Sequence, residues 1–345
     1  AIQFHLNGNI PEATKYYQQL INKGCNDHIV FSNYGTILKN LGKLKEAEQS
    51  IRLAIEIKPD YAEAHSNLGN ILKDLGKLKE AELSTRKALE IKPDLAETVH
   101  NLGIILKKLG KLKEAELSQR KAIELQPDLA DAYYSLAFIE LLKGDYKSGL
   151  ENYEFRKKLK LRKPILPHGN TKITSIDQEK LSKGEKLLVI SEQGLGDTLQ
   201  YMRYIPYLRS QGLEVSFCAQ TKLHSLIQSS GIDSQPLTPE ESSFVSDGHW
   251  ISLLSLPRYL QISPKNPIIS EPYIHSKTEL NKKWKEIFSK EKRPIIGINW
   301  QGNPRMERQD YKGRSIPLET FATLAKNDNF KLLSLQKGFG SEQLD

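Results

Sequence analysis

The sequence predicts an α-helical solenoid followed by an α/β domain with a doubly wound parallel sheet. Three observations support this order. Glycines recur every 34 residues over roughly the first half of the chain. The stretch Lys186–Tyr207 reads as a buried strand, a tight glycine turn and a helix, which is the opening of a βαβ unit. Apolar strands and amphipathic helices then alternate, which favours parallel strands covered by helices.

The composition is that of a globular protein with two or three domains. Of its 345 residues, 38% are hydrophobic and 27% are charged. The two cysteines, Cys25 and Cys218, lie far apart, which argues against a disulfide framework and favours a reducing compartment such as the cytoplasm. No apolar run approaches the ~20 residues of a membrane span. The histidines show no metal-ligand spacing, so neither a metal nor another cofactor is expected.

The net charge of +8 is spread thinly, with one basic cluster near the middle of the chain. The cluster consists of Arg156, Lys157, Lys158, Lys160, Arg162 and Lys163. It fits either a nucleic-acid patch or the solvated C-terminal end of a helix, where cations suit the dipole. No aromatic or base-reading motif accompanies it, so the second interpretation is favoured and no nucleic-acid partner is expected.

Residues 1–161 contain about four and a half copies of a 34-residue unit. The period is marked by Gly8, Gly42, Gly76, Gly110 and Gly144. The period and its helix–turn–helix content resemble the tetratricopeptide repeat. Small residues at Gly69, Ala81 and Ala88 predict close packing of helices A and B, and Pro93 predicts the end of helix B. The first copy lacks most of helix A, which indicates a chain cut at its N-terminus.

The A helices of such solenoids line a concave groove, and two sets of polar residues recur in register on them. The first set is Asn33, Asn67 and Asn101. Because an amide both donates and accepts, this ladder can hold the backbone of an extended peptide. The repeats resemble those of the eukaryotic protein O-linked N-acetylglucosamine transferases, in which an asparagine ladder holds the acceptor protein. The alternative is that asparagine before Leu-Gly is an ordinary feature of these repeats.

The second set is Lys39, Lys73 and Lys107. These lysines either neutralise an acidic partner or are plain solvated positions. Residues 162–184, rich in proline, glycine and polar residues, are interpreted as a linker.

The α/β part carries five motifs in a characteristic order. The first is SEQGLGDTLQYMRY, and four others follow it, namely ISLLSLP, GINWQGNP, RSIPLETFATLA and LLSLQKG. In this order they resemble bacterial repeat proteins that carry a heptosyltransferase-like glycosyltransferase domain. The resemblance implies the GT-B fold of two Rossmann-like halves, here residues 185–290 and the start of the second half at 291–345. That half should continue well beyond Leu335, so the chain is expected to be truncated at its C-terminus as well and to lack most of the donor site.

The resemblance assigns catalysis to Asp197, the aspartate of the Gly194-Leu-Gly196-Asp turn. An inverting transferase needs a carboxylate that takes the proton of the acceptor hydroxyl. The alternative role is structural, because aspartate is a favoured residue at a helix N-terminus. The glycines would let the backbone approach a ligand closely.

The resemblance also implies a site for the diphosphate of a nucleotide sugar, formed without a metal. The matching residues are Gln301, Gly302, Asn303 and Arg314. An arginine suits a diphosphate because its planar fork binds two oxygens. Lys312 competes for this role, and Arg314 can equally be a surface residue of the loop.

Three functions therefore stay open. The first is a nucleotide-sugar-dependent, inverting glycosyltransferase whose repeats recruit a protein or glycan acceptor. The second is a non-catalytic scaffold with an incomplete transferase-like domain. The third is a nucleotide-binding regulator that uses the glycine turn alone.

Overall fold

A computed structural model describes residues 1–159, 173–192, 194–268, 271–302 and 315–344. The chain divides into two compact units, Ala1–Tyr273 and Ile274–Asp345. The helical repeats and the first β-sheet thus share one unit, whereas the sequence interpretation separates them by a linker. The second unit also begins earlier than the boundary at 290/291 that the sequence predicts.

Paired helices fill the first 153 residues. Their bounds are α1 Ile2–Leu6, α2 Ile10–Asn22, α3 His28–Asn40, α4 Leu44–Ile57, α5 Ala62–Asp74, α6 Leu78–Ile91, α7 Ala96–Lys108, α8 Leu112–Leu125, α9 Ala130–Lys143 and α10 Tyr146–Tyr153. A 3-10 helix, Glu154–Lys158, continues α10. Helix α6 ends two residues before Pro93, as predicted.

Small residues set the spacing within each helix pair. A Cβ atom added to Gly69 on α5 would lie 2.2 Å from Thr85 Oγ1 on α6, so only glycine allows this approach. Ala81 and Ala88 are fully buried on α6. At the turn between the helices, Gly76 has φ +79°, a conformation that strongly favours glycine. The predicted packing role of these small residues is confirmed.

The A helices of successive repeats are α3, α5, α7 and α9, and the B helices are α4, α6 and α8. Neighbouring A helices approach one another more closely than neighbouring B helices do. In a curved array of repeats the closer spacing lies on the inner side. The A helices therefore line the concave face, which we call the groove.

A parallel sheet follows the repeats. Its strands are β1 Thr174–Ser175, β2 Lys186–Ile190, β3 Glu214–Cys218 and β4 His249–Ser252, in the order β1-β4-β2-β3. Alternate residues of β2 enter two different cores: Leu187 and Val189 pack with Phe217, and Leu188 and Ile190 with Cys218. The central strand is thus buried on both faces, as its apolar run predicts.

Strand β1 lies inside the segment that the sequence indicates as a linker. Thr174 and Ser175 pair with His249 and Trp250 of β4. The flanking Ile173 and Ile176 are buried. The described part of that segment, residues 173–184, is therefore partly an edge strand of the sheet, because two isoleucines within a polar run suffice to anchor it.

Short helices connect the strands. They are α11 Leu195–Tyr201, α12 Tyr204–Ser210, α13 Thr221–Ser229, α14 Pro239–Ser242 and α15 Leu256–Tyr259. The sequence predicts one helix after the glycine turn, but the chain breaks it at Met202 and Arg203. Pro206 explains the break, since it has no N–H for the Met202 carbonyl and its ring would clash with that group.

The second unit contains α16 Thr278–Phe288, strand β5 Ile295–Ile298, helix α17 Ala322–Ala325 and strand β6 Lys331–Ser334. Strands β5 and β6 pair in parallel. Trp300 is buried, and its Nε1 donates to the Gly340 carbonyl at 3.1 Å. Helix α16 has no buried residue. In the described part of this unit, a two-stranded sheet with one long helix thus buries a small core.

Candidate functional site

The asparagine ladder lies on the groove. Asn33, Asn67 and Asn101 are half-buried on α3, α5 and α7. Asn67 donates to Thr36 Oγ1 through a long hydrogen bond of 3.4 Å. In the described ranges, the Asn101 amide has no hydrogen-bond partner. Asn67 and Asn101 therefore keep donors and acceptors available to a ligand.

The in-register lysines have different surroundings. Asp74 lies 3.7 Å from Lys39 Nζ and 3.6 Å from Lys73 Nζ, so one carboxylate partly neutralises two lysines. Lys107 Nζ instead lies 5.5 Å from the centre of the Phe138 ring. No carboxylate among the described residues pairs with Lys107. Burial, reinforced by Lys108, lowers the pKa of Lys107, so its charge is held at a cost.

Three aromatic side chains meet at the C-terminal end of the groove, and we call them the aromatic cluster. Tyr134 lies edge-on to Phe138 with ring centres 5.0 Å apart, and Tyr153 lies 5.7 Å from Tyr134 and 5.9 Å from Phe138. The sequence interpretation missed this cluster. The signal was present, because Tyr134 occupies the repeat position held by Ser66 and His100 in earlier copies.

A buried polar network, which we call the interlock, joins the end of the repeats to the sheet. At its centre Arg156, with a fully buried side chain, donates to Glu192 Oε1 from Nε at 3.1 Å and from Nη2 at 2.6 Å. Arg156 Nη1 donates to Glu154 Oε1 at 2.7 Å. Its Nη2 also reaches the hydroxyls of Ser252 and Ser255, at 3.1 and 2.8 Å.

The interlock lies at the carboxyl ends of the two central strands. Glu192 follows β2, and Ser252 is the last residue of β4. Burial opposes ionisation of Glu154, but Arg156 and Lys157 outweigh it and lower the pKa of that carboxyl. Both interpretations of the basic cluster place its residues at the surface, but Arg156 is buried. Its charge is stabilised there because two carboxylates and two hydroxyls accept its hydrogen bonds.

The glycine turn leads from the same edge of the sheet into α11. The helix begins at Leu195 with Gly194 as its N-cap, and the Gly194 N–H donates to Asp197 Oδ2 at 3.2 Å, so Asp197 satisfies the helix N-terminus from the third helical position rather than as the cap residue itself. Gly194 has φ −66° and ψ 167°, which any residue adopts. A Cβ on Gly196 would have no neighbour within 4 Å. Neither glycine is therefore required by the described fold.

The residues matched to a diphosphate site lie in the second unit. The Gln301 N–H donates to Gln336 Oε1 at 2.9 Å, and the Gly302 N–H donates to Ser315 Oγ at 3.3 Å. Both backbone donors are thus occupied within the protein. Asn303 and Arg314, together with Lys312, lie outside the described residues.

Within the described ranges, no group of three or more His, Cys, Asp or Glu side chains comes together in a way that could hold a metal ion. No helix there is both long and apolar enough to cross a membrane.

Known protein families match the repeats. Models of the tetratricopeptide repeat match residues 62–95 and 96–129, and a further model of the TPR repeat matches residues 35–76. No curated protein matches the chain. The helices of residues 35–129 are therefore tetratricopeptide repeats, a unit that serves protein–protein interaction.

Three similar solved structures each cover less than half of this chain. MamA residues 41 to the end, from Desulfovibrio magneticus RS-1, is 21% identical over 46% of this chain and 92% of its own, with a TM-score of 0.41. YrrB, described as a TPR protein with an unusual peptide-binding site, is 20% identical over 46% of this chain and 81% of its own, with a TM-score of 0.39. The pilF protein of Pseudomonas aeruginosa is 16% identical over 45% of this chain and 70% of its own, with a TM-score of 0.41.

Proposed function

We propose that the chain recruits a protein partner by holding an extended segment of it along the groove. The observation that carries this proposal is the ladder of Asn33, Asn67 and Asn101 on successive A helices. Asn101 has no partner in the described ranges, and Asn67 has one long bond that a ligand can replace. An extended backbone presents N–H and C=O groups that an amide pairs with simultaneously.

The spacing of the ladder suits an extended chain. Packed helices lie about 8–10 Å apart, and an extended strand rises about 3.4 Å per residue. One asparagine therefore meets roughly every third residue of a bound segment. Three asparagines would span a stretch of about seven residues, which a short peptide provides.

Removing the ladder is expected to weaken peptide binding roughly a hundredfold. Each asparagine contributes about 1 kcal/mol through its hydrogen bonds, and the three together about 3 kcal/mol. The test selects ligands from a displayed library of random 12-residue peptides. Their affinities for the unchanged chain and for the Asn33→Ala/Asn67→Ala/Asn101→Ala variant are then measured by fluorescence anisotropy.

A matched variant controls for nonspecific effects. Lys45, Lys79 and Lys113 also recur in register, but they are exposed on the B helices α4, α6 and α8. Replacing these three with alanine should leave the affinities within about twofold. Equal losses in both triple variants, or retained affinity without the ladder, would contradict binding through the groove.

A second candidate function is the nucleotide-sugar-dependent glycosyl transfer that the motif order resembles. Asp197 would take the proton of the acceptor hydroxyl as that oxygen attacks the sugar carbon, and the bond to the nucleoside diphosphate would break. Gln301, Gly302, Asn303 and Arg314 would hold the diphosphate. The observation that favours this candidate is the glycine pair: Gly196 within a helix costs about 1 kcal/mol relative to alanine, and close ligand approach would explain its use.

Glycosyl transfer predicts a specific pattern of ligand effects. A bound nucleotide sugar at 100 times its dissociation constant stabilises a protein by about 2.7 kcal/mol, which shifts its melting temperature clearly. Asp197→Asn should keep this shift and abolish transfer, whereas Gly196→Ala should stabilise the free chain by about 0.5–1 kcal/mol and lose the shift. Differential scanning fluorimetry with a panel of nucleotide sugars measures both. If no donor shifts the melting temperature of the unchanged chain, this candidate fails and the protein-recruiting function stands alone.

A further inference from the structure

The C-terminal end of the groove differs from the rest in both charge and polarity. Along α3 and α5, each in-register lysine has a carboxylate beside it, since Lys39 and Lys73 flank Asp74. Lys107 has none among the described residues. The position that Asp74 holds toward Lys39 is held toward Lys107 by Leu142, whose side chain is 69% exposed.

The ammonium of Lys107 is therefore half-buried and unneutralised. Its one described contact is the face of Phe138, 5.5 Å from the ring centre. A ring face stabilises a cation less than a charge-assisted hydrogen bond to a carboxylate does. Lys108 adds a second positive charge beside it, and the described residues hold no ion pair to Lys108 either. The described residues thus supply no anion to neutralise the positive charge at this end of the groove.

The apolar surface beside this charge is also incomplete. Phe138 is 37% exposed although it contacts Tyr134 and Tyr153, and Leu142 lies one turn further along α9. In the earlier repeats the place of Phe138 is held by Thr36, Asn70 and Ile104. Aromatic and aliphatic surface is therefore concentrated where the groove meets the sheet-bearing end of the unit.

We infer that this end of the groove binds an acidic residue followed or preceded by a large apolar residue in an extended peptide. The carboxylate pairs with Lys107, and the apolar side chain covers Phe138 and Leu142. The charge and the apolar surface adjoin each other, so neighbouring residues of one chain reach both. The inference rests on the proposed function, because the ladder Asn33, Asn67 and Asn101 places the peptide that the end of the groove then selects.

The test uses defined peptides of 12 residues built from Gly, Ser and Asn with blocked termini. One carries Glu-Phe at its centre, and matched peptides carry Gln-Phe or Glu-Ser. Anisotropy is expected to show at least about tenfold tighter binding of the Glu-Phe peptide than of either matched peptide, because Gln-Phe loses the charge-assisted bond to Lys107 and Glu-Ser loses the burial of an apolar side chain. A peptide that ends in Phe with a free carboxylate tells whether the anion is a side chain or a chain terminus.

Two substitutions locate the selectivity. Lys107→Met keeps most of the apolar stem and removes the charge, so the preference for Glu-Phe over Gln-Phe should disappear. Leu142→Asp supplies the carboxylate that Asp74 supplies to Lys39, and it should remove the same preference by neutralising Lys107 internally. Lys113→Met, exposed on α8, is the matched control and should preserve the preference. Circular dichroism melts verify that each variant folds.

The outcomes separate this inference from the proposed function. If Gln-Phe binds as tightly as Glu-Phe while the triple asparagine variant weakens both, the inference falls and recruitment through the groove stands. If Lys113→Met removes the preference as fully as Lys107→Met, the inference also falls. If the unchanged chain binds none of these peptides but binds peptides selected from the displayed library, the inference falls and recruitment through the groove stands.

Discussion

Replacing Arg156 with alanine is expected to lower the free energy of unfolding of the first unit by about 3–5 kcal/mol. The loss arises from the partner left behind rather than from the bond itself. Glu192 has a fully buried side chain, and Arg156 is its cationic partner. Its second oxygen, Oε2, already lacks a partner in the described ranges. Without the guanidinium, the buried Glu192 carboxyl group would keep only the Ser252 hydroxyl as a hydrogen-bond donor among the described residues.

The double variant Arg156→Met/Glu192→Met distinguishes charge burial from packing. Removing both charges together should recover most of the lost stability, because apolar side chains of similar length replace a buried ion pair at little cost. Lys158→Ala, an exposed neighbour in the same 3-10 helix, should change stability by no more than about 0.5 kcal/mol. Urea denaturation followed by circular dichroism gives these differences.

Hydrogen exchange shows which parts of the first unit lose stability in the Arg156→Ala variant. Because the interlock closes the carboxyl ends of β2 and β4, Arg156→Ala should speed exchange in peptides covering Lys186–Ile190 and His249–Ser252. Exchange in the early repeats, such as α3, should change much less. Unchanged protection of both strands would mean that the interlock does not stabilise the sheet.

Much of the first unit follows from the sequence because its signals are periodic. The 34-residue spacing of glycines, alanines and prolines fixes the helix pairs, and the apolar run after Lys186 fixes the central strand. The same period places the asparagines on one face. Local chemistry of this kind repeats several times, so each copy supports the others.

The interlock does not follow from the sequence because its members are distant and individually ordinary. Arg156 and Ser255 are 99 residues apart, and they meet at Arg156 Nη2. A run of basic residues predicts a solvent-exposed segment. The neighbouring sequence does not show that two glutamates will surround one of its arginines. Strand β1 is missed for a related reason, since its two residues form a strand only because β4 lies beside them.

The groove was predictable in outline but not in detail. The three in-register positions all hold lysine. Asp74 nevertheless neutralises two of these lysines, and none of the described carboxylates pairs with Lys107. This difference depends on position 142, which belongs to the next repeat and becomes a neighbour only when the A helices pack. The departures of the last repeat from its predecessors were therefore the informative positions.

Replacing Gly103 with valine is expected to cost about 2–6 kcal/mol of folding free energy, from overpacking together with buried groups left unpaired. A Cβ at this position would lie 2.3 Å from Gln119 Nε2 and 3.2 Å from the Ala115 carbonyl. Gln119 is fully buried; its Nε2 donates to the His100 carbonyl at 3.1 Å, and its Oε1 lies 2.8 Å from His100 Nδ1. Valine must displace this amide and break both contacts.

The pH dependence of stability provides an independent check on that substitution. Burial lowers the pKa of His100 below its ordinary value near 6.5, against a smaller opposing effect of Gln119. As the pH falls below about 6.5, the unfolded chain binds a proton that the folded chain does not bind, so the native repeats lose stability.

The double variant Gly103→Val/Gln119→Ala relieves the steric clash and should recover part of the folding free energy that Gly103→Val loses. If instead Gly103→Val unfolds at the same urea concentration as the unchanged chain, with the same fall in stability between pH 7 and pH 5, the contact of Gly103 with Gln119 does not fix the spacing of α7 and α8.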